Sequence, residues 1–240
     1  MNTKSFSPVI LVPGWWLGGW AWDEVTEHLS RDGISTDAVT LPGLDSPTTP
    51  RGGIVLADHV GAVVAAVRGA GSPVVLVAHS GAGAMATAVL DEAPDLVARV
   101  VYVDSGPVAD GTVARPDLPP EAVEVPFPPL SDLEAGGAST AELDDETLRR
   151  FQDRAVPHPA GPLREPVRLH DQARNQIPAT VVCCSFPSVA VQEMVTSGTG
   201  MFAPLADLAD LRYVDLPTGH WPMWSRPDAL ASIVADAARG

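Results

Sequence analysis

The sequence predicts an α/β domain: a doubly wound, mostly parallel sheet of about six strands, with a lid inserted after the fourth. Three observations lead there. Short Val-rich runs recur along the chain, helical patterns separate them, and one long stretch, residues 107–178, breaks the alternation. Near-continuous apolar runs, rather than alternating ones, belong to parallel strands covered on both faces. Strand–helix alternation of this kind builds a doubly wound sheet.

The six runs are "PVILVPG" (8–14), "STDAVTLPG" (35–43), "PVVLVAHS" (73–80), "ARVVYVDSG" (98–106), "ATVVCCSF" (179–186) and "LRYVDLPTG" (211–219). Most end in Gly, Pro or Ser, which punctuate strands. Between the first two, residues 22–31 carry Trp22, Val25 and Leu29 at helical spacing. Residues 56–68 do the same with Val60, Val63, Val64 and Val67. The last helix opens on Ser225, Pro227 and Asp228, a capping-box start with Pro in the first turn, and buries Leu230, Ile233 and Val234.

Residues 107–178 begin with "PVADGTVARPDLPPEAVEVPFPPL", too rich in proline for a regular helix or a central strand. After "AGGAST" a helix is expected from Ser139, with Glu142 as capping partner, through Leu148 and Phe151 to about Ala155. An insertion of this length between core strands reads as a functional lid. The chain then divides into a core, 1–106 with 179–240, and a lid, 107–178. The lid is expected to govern substrate choice and to supply nothing to the chemistry.

A chain of 240 residues can bury the core of one such domain. Its net charge of −15 argues against a nucleic-acid partner, which needs a basic face. No apolar run approaches the ~18 residues of a membrane span, and "MNTKSFSP" lacks an apolar leader region. The only cysteines, Cys183 and Cys184, are adjacent, without metal-ligand spacing, and are expected to pack on opposite faces of a strand. A reducing cytoplasm fits them. The oligomeric state stays open.

The chemistry concentrates in three segments. "PVVLVAHSGAGAMATAVL" (73–90) is a strand, a tight turn and a helix, with Ser80 at the bend. A nucleophilic serine at such a bend usually lies within G-x-S-x-G, because the residues two before and two after it crowd each other. Here Ala78 and Ala82 hold those places, the next smallest choice. "DLPTGHWPMW" puts His220 on a loop after the last strand, in the chain order that a serine–histidine pair of this type requires. His28 and His59 lie in amphipathic helices and are expected at the surface or boundary, while His79 should point away from the site and His158 and His170 lie in the insertion. The base is therefore His220. Acyl transfer also needs two backbone N–H groups aimed at the developing oxyanion. Gly81, after the serine, and Trp15, in "ILVPGWWLGGW" after the first strand, are the candidates.

With those segments together, "VPGWWLGGWAW…AHSGAG…TGHWPMW" resembles the α/β-hydrolase superfamily over nearly the whole chain outside the lid. The Gly-Trp-rich first loop is similar to that of its compact esterase and hydroxynitrile-lyase branch, although Pro13-Gly14 stands where His-Gly is usual. The resemblance implies the α/β-hydrolase fold, a serine nucleophile and no cofactor or metal. It also implies an orienting acid, most often in the loop after the penultimate strand, but that loop reads Cys184-Ser185-Phe186-Pro187-Ser188. A minority of the superfamily carries the acid at the end of the strand following the nucleophile helix, here Asp104. Asp104 is the expected acid, with Asp215 as runner-up.

All six tryptophans fall within 15–22 and 221–224, beside the two catalytic loops. Trp20 and Trp22 suit core packing. Trp16, Trp221, Met223, Phe127 and Phe151 are expected to line an apolar pocket for a small hydrophobic molecule. The reading is a cofactor-free serine hydrolase of a hydrophobic carboxylic ester or lactone. Three alternatives stay open at this point. One is a hydroxynitrile lyase, against which Trp221 stands where a lysine is expected. Another is a cofactor-free ring-cleaving dioxygenase using the His220/Asp104 dyad. The third is a receptor-like hydrolase with negligible turnover.

Overall fold

The computed structural model describes residues 6–240. Residues 1–5, the start of the stretch read as lacking a leader, lie outside them. Six strands form one sheet: β1 (Val9–Val12), β2 (Thr36–Ala38), β3 (Val74–His79), β4 (Val97–Val103), β5 (Ala179–Cys183) and β6 (Leu211–Asp215). Their order is β2-β1-β3-β4-β5-β6 and every pairing is parallel. These fall on the six Val-rich runs, each stopping short of the run's C-terminal end, with β4 beginning one residue earlier at Val97.

Period-two alternation sends each strand's side chains into two separate cores. Ile10, Val12, Leu76, Ala78, Val100 and Tyr102 meet Val60, Val63, Val64 and Val67 of α2 (Leu56–Gly69) and Val89 of α3 (Ala82–Glu92) on one face. Val9, Leu11, Val75, Val77, Val101 and Val103 meet Val25 and Leu29 of α1 (Asp23–Arg31) and Leu230 and Val234 of the C-terminal helix, Pro227–Arg239, on the other. Cys183 and Cys184 divide between the same two cores, both free and buried. Full burial of a Val side chain is worth roughly 1.5–3 kcal/mol, so the sheet's centre, not its edge strand β2, dominates stability. Among the described residues, no helix is long and apolar enough to cross a membrane.

Residues 107–178 contain α4 (Leu130–Ala135), α5 (Asp145–Arg154) and α6 (Ala160–Arg164), and a two-residue antiparallel ladder pairing Glu124–Val125 with His158–Pro159. The proline-rich first part is mostly irregular, as its composition dictates. Arg51 ties this insertion to the core. Its guanidinium is buried and donates to Pro157 O at 2.6 Å, to Glu124 Oε2 at 3.2 Å, and to the carbonyls of Ser46, Pro47 and Thr49. A buried cation persists only with its donors satisfied in this way. Trp16 adds two further ties, Nε1–H to Val125 O at 3.1 Å and its carbonyl to the N–H of Val156 at 3.0 Å.

Several local expectations need correction. The helix placed from Ser139 starts at Asp145 instead, because Asp144 is the cap, its Oδ1 accepting from Thr147 N at 2.8 Å. Glu142 has φ +66° and pairs with Arg226, so it cannot cap that helix. The last helix has Arg226 at its N-cap and no side-chain cap; Ser225 belongs to the short helix α8 (Pro222–Ser225), which follows α7 (Ser188–Ser197) in the chain, and donates to Trp221 O. Ile233 is only partly buried, the buried stripe being Leu230, Ala231, Val234, Ala235 and Ala238. His59 is buried, not at the boundary, with Nε2–H donating to Pro42 O at 2.9 Å and its ring 5.5 Å from that of His158.

Burial pushes His158 down to about 3 and lowers His59 as well. Both start from an ordinary value of 6.5 in the unfolded chain, so the unfolded state binds more protons below that pH. Their contribution to stability is complete above pH 6.5 and is lost as pH falls toward 3. The urea midpoint should therefore drop between pH 7 and pH 5, at up to about 1.4 kcal/mol per pH unit per proton. His158→Gln should flatten that dependence. An unchanged midpoint across the window would show that these rings are not held neutral.

Candidate active site

Register brings the site together. In the β3–β4 pairing His79 lies opposite Val103, so the next residues, Ser80 and Asp104, leave the sheet side by side at its C-terminal edge. Ser80 has φ +54° and Asp104 φ +46°, both in the left-handed region. For non-glycine residues this conformation costs on the order of 1–3 kcal/mol and persists where surrounding bonds over-determine it. Those bonds are present. Ser80 N–H donates to Val103 O at 3.1 Å, Ser80 O accepts from Gly83 N–H at 3.0 Å and from Ser105 Oγ at 2.5 Å. Asp104 N–H donates to Val182 O at 2.9 Å. The elbow is tight, as Gly83 shows, where a methyl would stand 2.3 Å from Gly106 O. Ala78 and Ala82 are both buried beside it.

His220 arrives from the loop after β6. Its Nδ1 lies 2.5 Å from Asp104 Oδ2 and its Nε2 lies 2.7 Å from Ser80 Oγ. Asp104 is almost fully buried, which works to raise its pKa. Hydrogen bonds from His220 and Ser185 outweigh that and hold the carboxyl below its usual range. A carboxylate only accepts, so Nδ1 carries the proton, Nε2 presents its lone pair, and Ser80 Oγ–H donates to it. Ser185 completes the carboxylate's shell, with Oγ at 2.5 Å from Oδ2 and N–H at 2.9 Å from Oδ1. The loop without a carboxylate of its own thus serves the Asp104 carboxylate instead. Asp215 is engaged elsewhere, accepting from Ser188 N–H at 2.6 Å and Ser188 Oγ at 2.7 Å.

Two further contacts hold the His220 main chain. Its N–H donates to Ser139 O at 2.7 Å, and its carbonyl accepts from His79 Nε2 at 2.7 Å. Neither was foreseen. The insertion, expected to supply nothing to the chemistry, rests directly on the loop bearing the imidazole. Gly219 shows how closely, since a methyl there would stand 2.5 Å from Ser139 O. His79 points away from the serine as expected, but toward the backbone of His220. No sequence pattern marks either contact.

Trp15 and Gly81 flank Ser80. The Trp15 indole lies flat against Gly81, so that a methyl on Gly81 would stand 2.1 Å from Trp15 Nε1. Among the described residues, neither backbone N–H has a hydrogen-bond acceptor. The serine opens into a cavity of about 850 Å³ walled by Trp15, Trp16, Leu17, Leu133, Phe151, Phe202 and Trp221. Phe127 and Met223, expected in that wall, are not part of it. Phe127 stands one layer behind, its ring 4.7 Å from Phe151 and 5.8 Å from Trp16. Met223 is fully buried in the core with Trp22 and Leu230, because α8 turns it inward.

Comparison with known proteins bears on the fold. A model of the alpha/beta hydrolase family matches residues 9–233. A search of the curated proteins gave no match. Among solved structures, an extracellular alpha/beta-hydrolase from a Paenibacillus species is similar over 98% of this chain and 100% of its own, with TM-score 0.76 and 18% identity. A pyrethroid hydrolase from Sphingobium faniae is similar over 97% of both chains, with TM-score 0.70 and 20% identity. A methylesterase from Arabidopsis is similar over 96% of this chain and 98% of its own, with TM-score 0.73 and 17% identity. At such identities the likeness is one of fold. With the family model spanning nearly its whole length, the chain belongs to the alpha/beta hydrolase family.

Proposed function

We propose that the protein is a cofactor-free serine hydrolase of hydrophobic carboxylic esters or lactones. The observation that carries this is the 2.7 Å contact between Ser80 Oγ and His220 Nε2, backed by Asp104 on the other ring nitrogen. Ser80 attacks the carbonyl carbon while its proton passes to His220 Nε2. Asp104 steadies the imidazolium, and the N–H groups of Trp15 and Gly81 receive the oxyanion. The tetrahedral intermediate expels the alcohol, which takes the proton from His220; in a lactone the same step opens the ring. A water molecule, deprotonated by His220, then attacks the acyl-serine and frees the acid.

An apolar, aromatic cavity supports a hydrophobic substrate over a charged one. The similar structures include a pyrethroid hydrolase and a methylesterase, which is in keeping with an ester. Two free, buried cysteines suit the cytoplasm.

Exposure to a fluorophosphonate, followed by mass spectrometry, should label Ser80 alone. Ser80→Ala should lower ester hydrolysis by roughly 10³-fold or more. Asp104→Asn keeps the shape but admits the wrong tautomer, a change worth about 10⁴ in kcat in a serine-protease triad. Asp215→Asn, as the paired control, should cost little. Label on Ser105 or Ser185, or full activity in Asp104→Asn, would overturn the assignment.

Gly81→Ala tests the oxyanion donors. The backbone at Gly81, φ −57° and ψ −15°, accepts alanine without strain, so any effect comes from the indole that the methyl displaces. Loss of one donor should lower kcat by about 10²–10³. Adding Trp15→Ala should restore part of the loss by making room. Unchanged kcat in Gly81→Ala would mean that these two residues do not hold the oxyanion.

A further inference from the structure

His79 ends β3 and precedes the serine, yet its side chain serves the other half of the site. The ring is 1% exposed, its centroid 4.9 Å from that of His220, and its Nε2 lies 2.7 Å from His220 O. A carbonyl only accepts, so Nε2 carries the proton. Nδ1 is then a lone pair, and among the described residues it is buried without a partner. It faces Gly14, where a methyl would stand 3.0 Å from it. Burial pushes His79 down to about 3, so the ring is neutral and this tautomer is the working one. An unpaired buried nitrogen is a cost that a leucine here would not carry. The feature that sets the imidazole apart is its single bond to the backbone of His220.

That bond holds the peptide group that follows His220, while Ser139 holds the one that precedes it. With N–H and C=O of His220 both pinned, only its side-chain torsions stay free, and Asp104 fixes those. The serine and the clamp are adjacent in sequence at the end of one strand, so any shift of β3 carries the base with the nucleophile. We propose that His79 is a positioning residue: its Nε2–H holds the carbonyl of His220, and so keeps Nε2 of His220 on Ser80 Oγ. This rests on the reading of Ser80 and His220 as the reacting pair.

The comparison of His79→Gln with His79→Leu tests it in the full-length protein. The glutamine amide nitrogen reaches about as far as an imidazole Nε2 and can donate to the carbonyl; leucine fills similar space and cannot. Three quantities are read: kcat and KM on a chromogenic ester, the rate of fluorophosphonate labelling at Ser80, and the deshielded Nδ1 proton of His220 in the NMR spectrum. His79→Leu should lose kcat by roughly 100-fold, the scale of a misplacement near 1 Å, with little change in KM. Its labelling should slow in parallel and its deshielded proton should broaden. His79→Gln should recover most of all three.

If His79→Leu does not fold, His79→Asn replaces it, since an amide one carbon shorter falls short of the carbonyl. A folded His79→Leu or His79→Asn with full kcat and a sharp deshielded proton would overturn the proposal. So would a folded His79→Gln as poor as the leucine variant, since the role would then be steric. Failure of the wild-type protein to label at Ser80 is a different result and would remove the reaction itself; the NMR signal reports the clamp independently of substrate.

Discussion

A neutral imidazole gives one proton and takes one, and at His220 both capacities are used at 2.7 Å or less. Everything around it serves that condition. The parallel register of β3 and β4 lands a serine and an aspartate side by side, and both turn out of the sheet with positive φ. Neither turn would hold in an isolated hairpin. Here the carbonyls of Val103 and Val182 extend the ladders by one bond each, and Ser105 pins the carbonyl of Ser80. The strain is local, and the bonds that oppose it come from β4, β5 and the loop after β4.

His220 is the one member of the constellation not set by the sheet. Its loop carries no regular structure and is held instead by contacts from both sides, His79 of the core and Ser139 of the insertion. The wall residues Leu133 and Ala138 immediately precede that Ser139 contact, so the pocket lining and the anchor of His220 are one continuous stretch of chain. The 107–178 segment therefore shapes the cavity and steadies the imidazole together.

Features governed by local pattern were legible in the sequence. Six apolar runs became six parallel strands: β1, β3 and β5 are buried throughout, where polar residues have no room, while β2 and β6 at the sheet's edges are partly exposed and keep polar residues. The order of serine, then histidine, and the absence of a carboxylate at Cys184–Ser188 pointed to Asp104 before its 2.5 Å contact with His220 could be seen. Features governed by distant partners were not legible. Ser185, Ser139 and His79 act through hydrogen bonds across 81, 81 and 141 positions, and no spacing rule reaches that far. Met223 and Phe127 were placed in the pocket from proximity along the chain, but α8 and the Phe151 ring turn them inward or behind. Ser139 has the residue type of a helix cap, but Asp144, five residues further on and directly before Asp145, holds the first turn.

The most direct measurement is the crystal structure of the fluorophosphonate adduct. It captures the geometry of attack at once, with the phosphorus standing where the acyl carbon would. The account predicts continuous density from Ser80 Oγ to phosphorus, with His220 still bonded to Asp104. It also predicts a phosphoryl oxygen about 2.7–3.1 Å from both the Trp15 and Gly81 N–H groups. An adduct on another residue, or a phosphoryl oxygen turned away from those two N–H groups toward solvent, would contradict it.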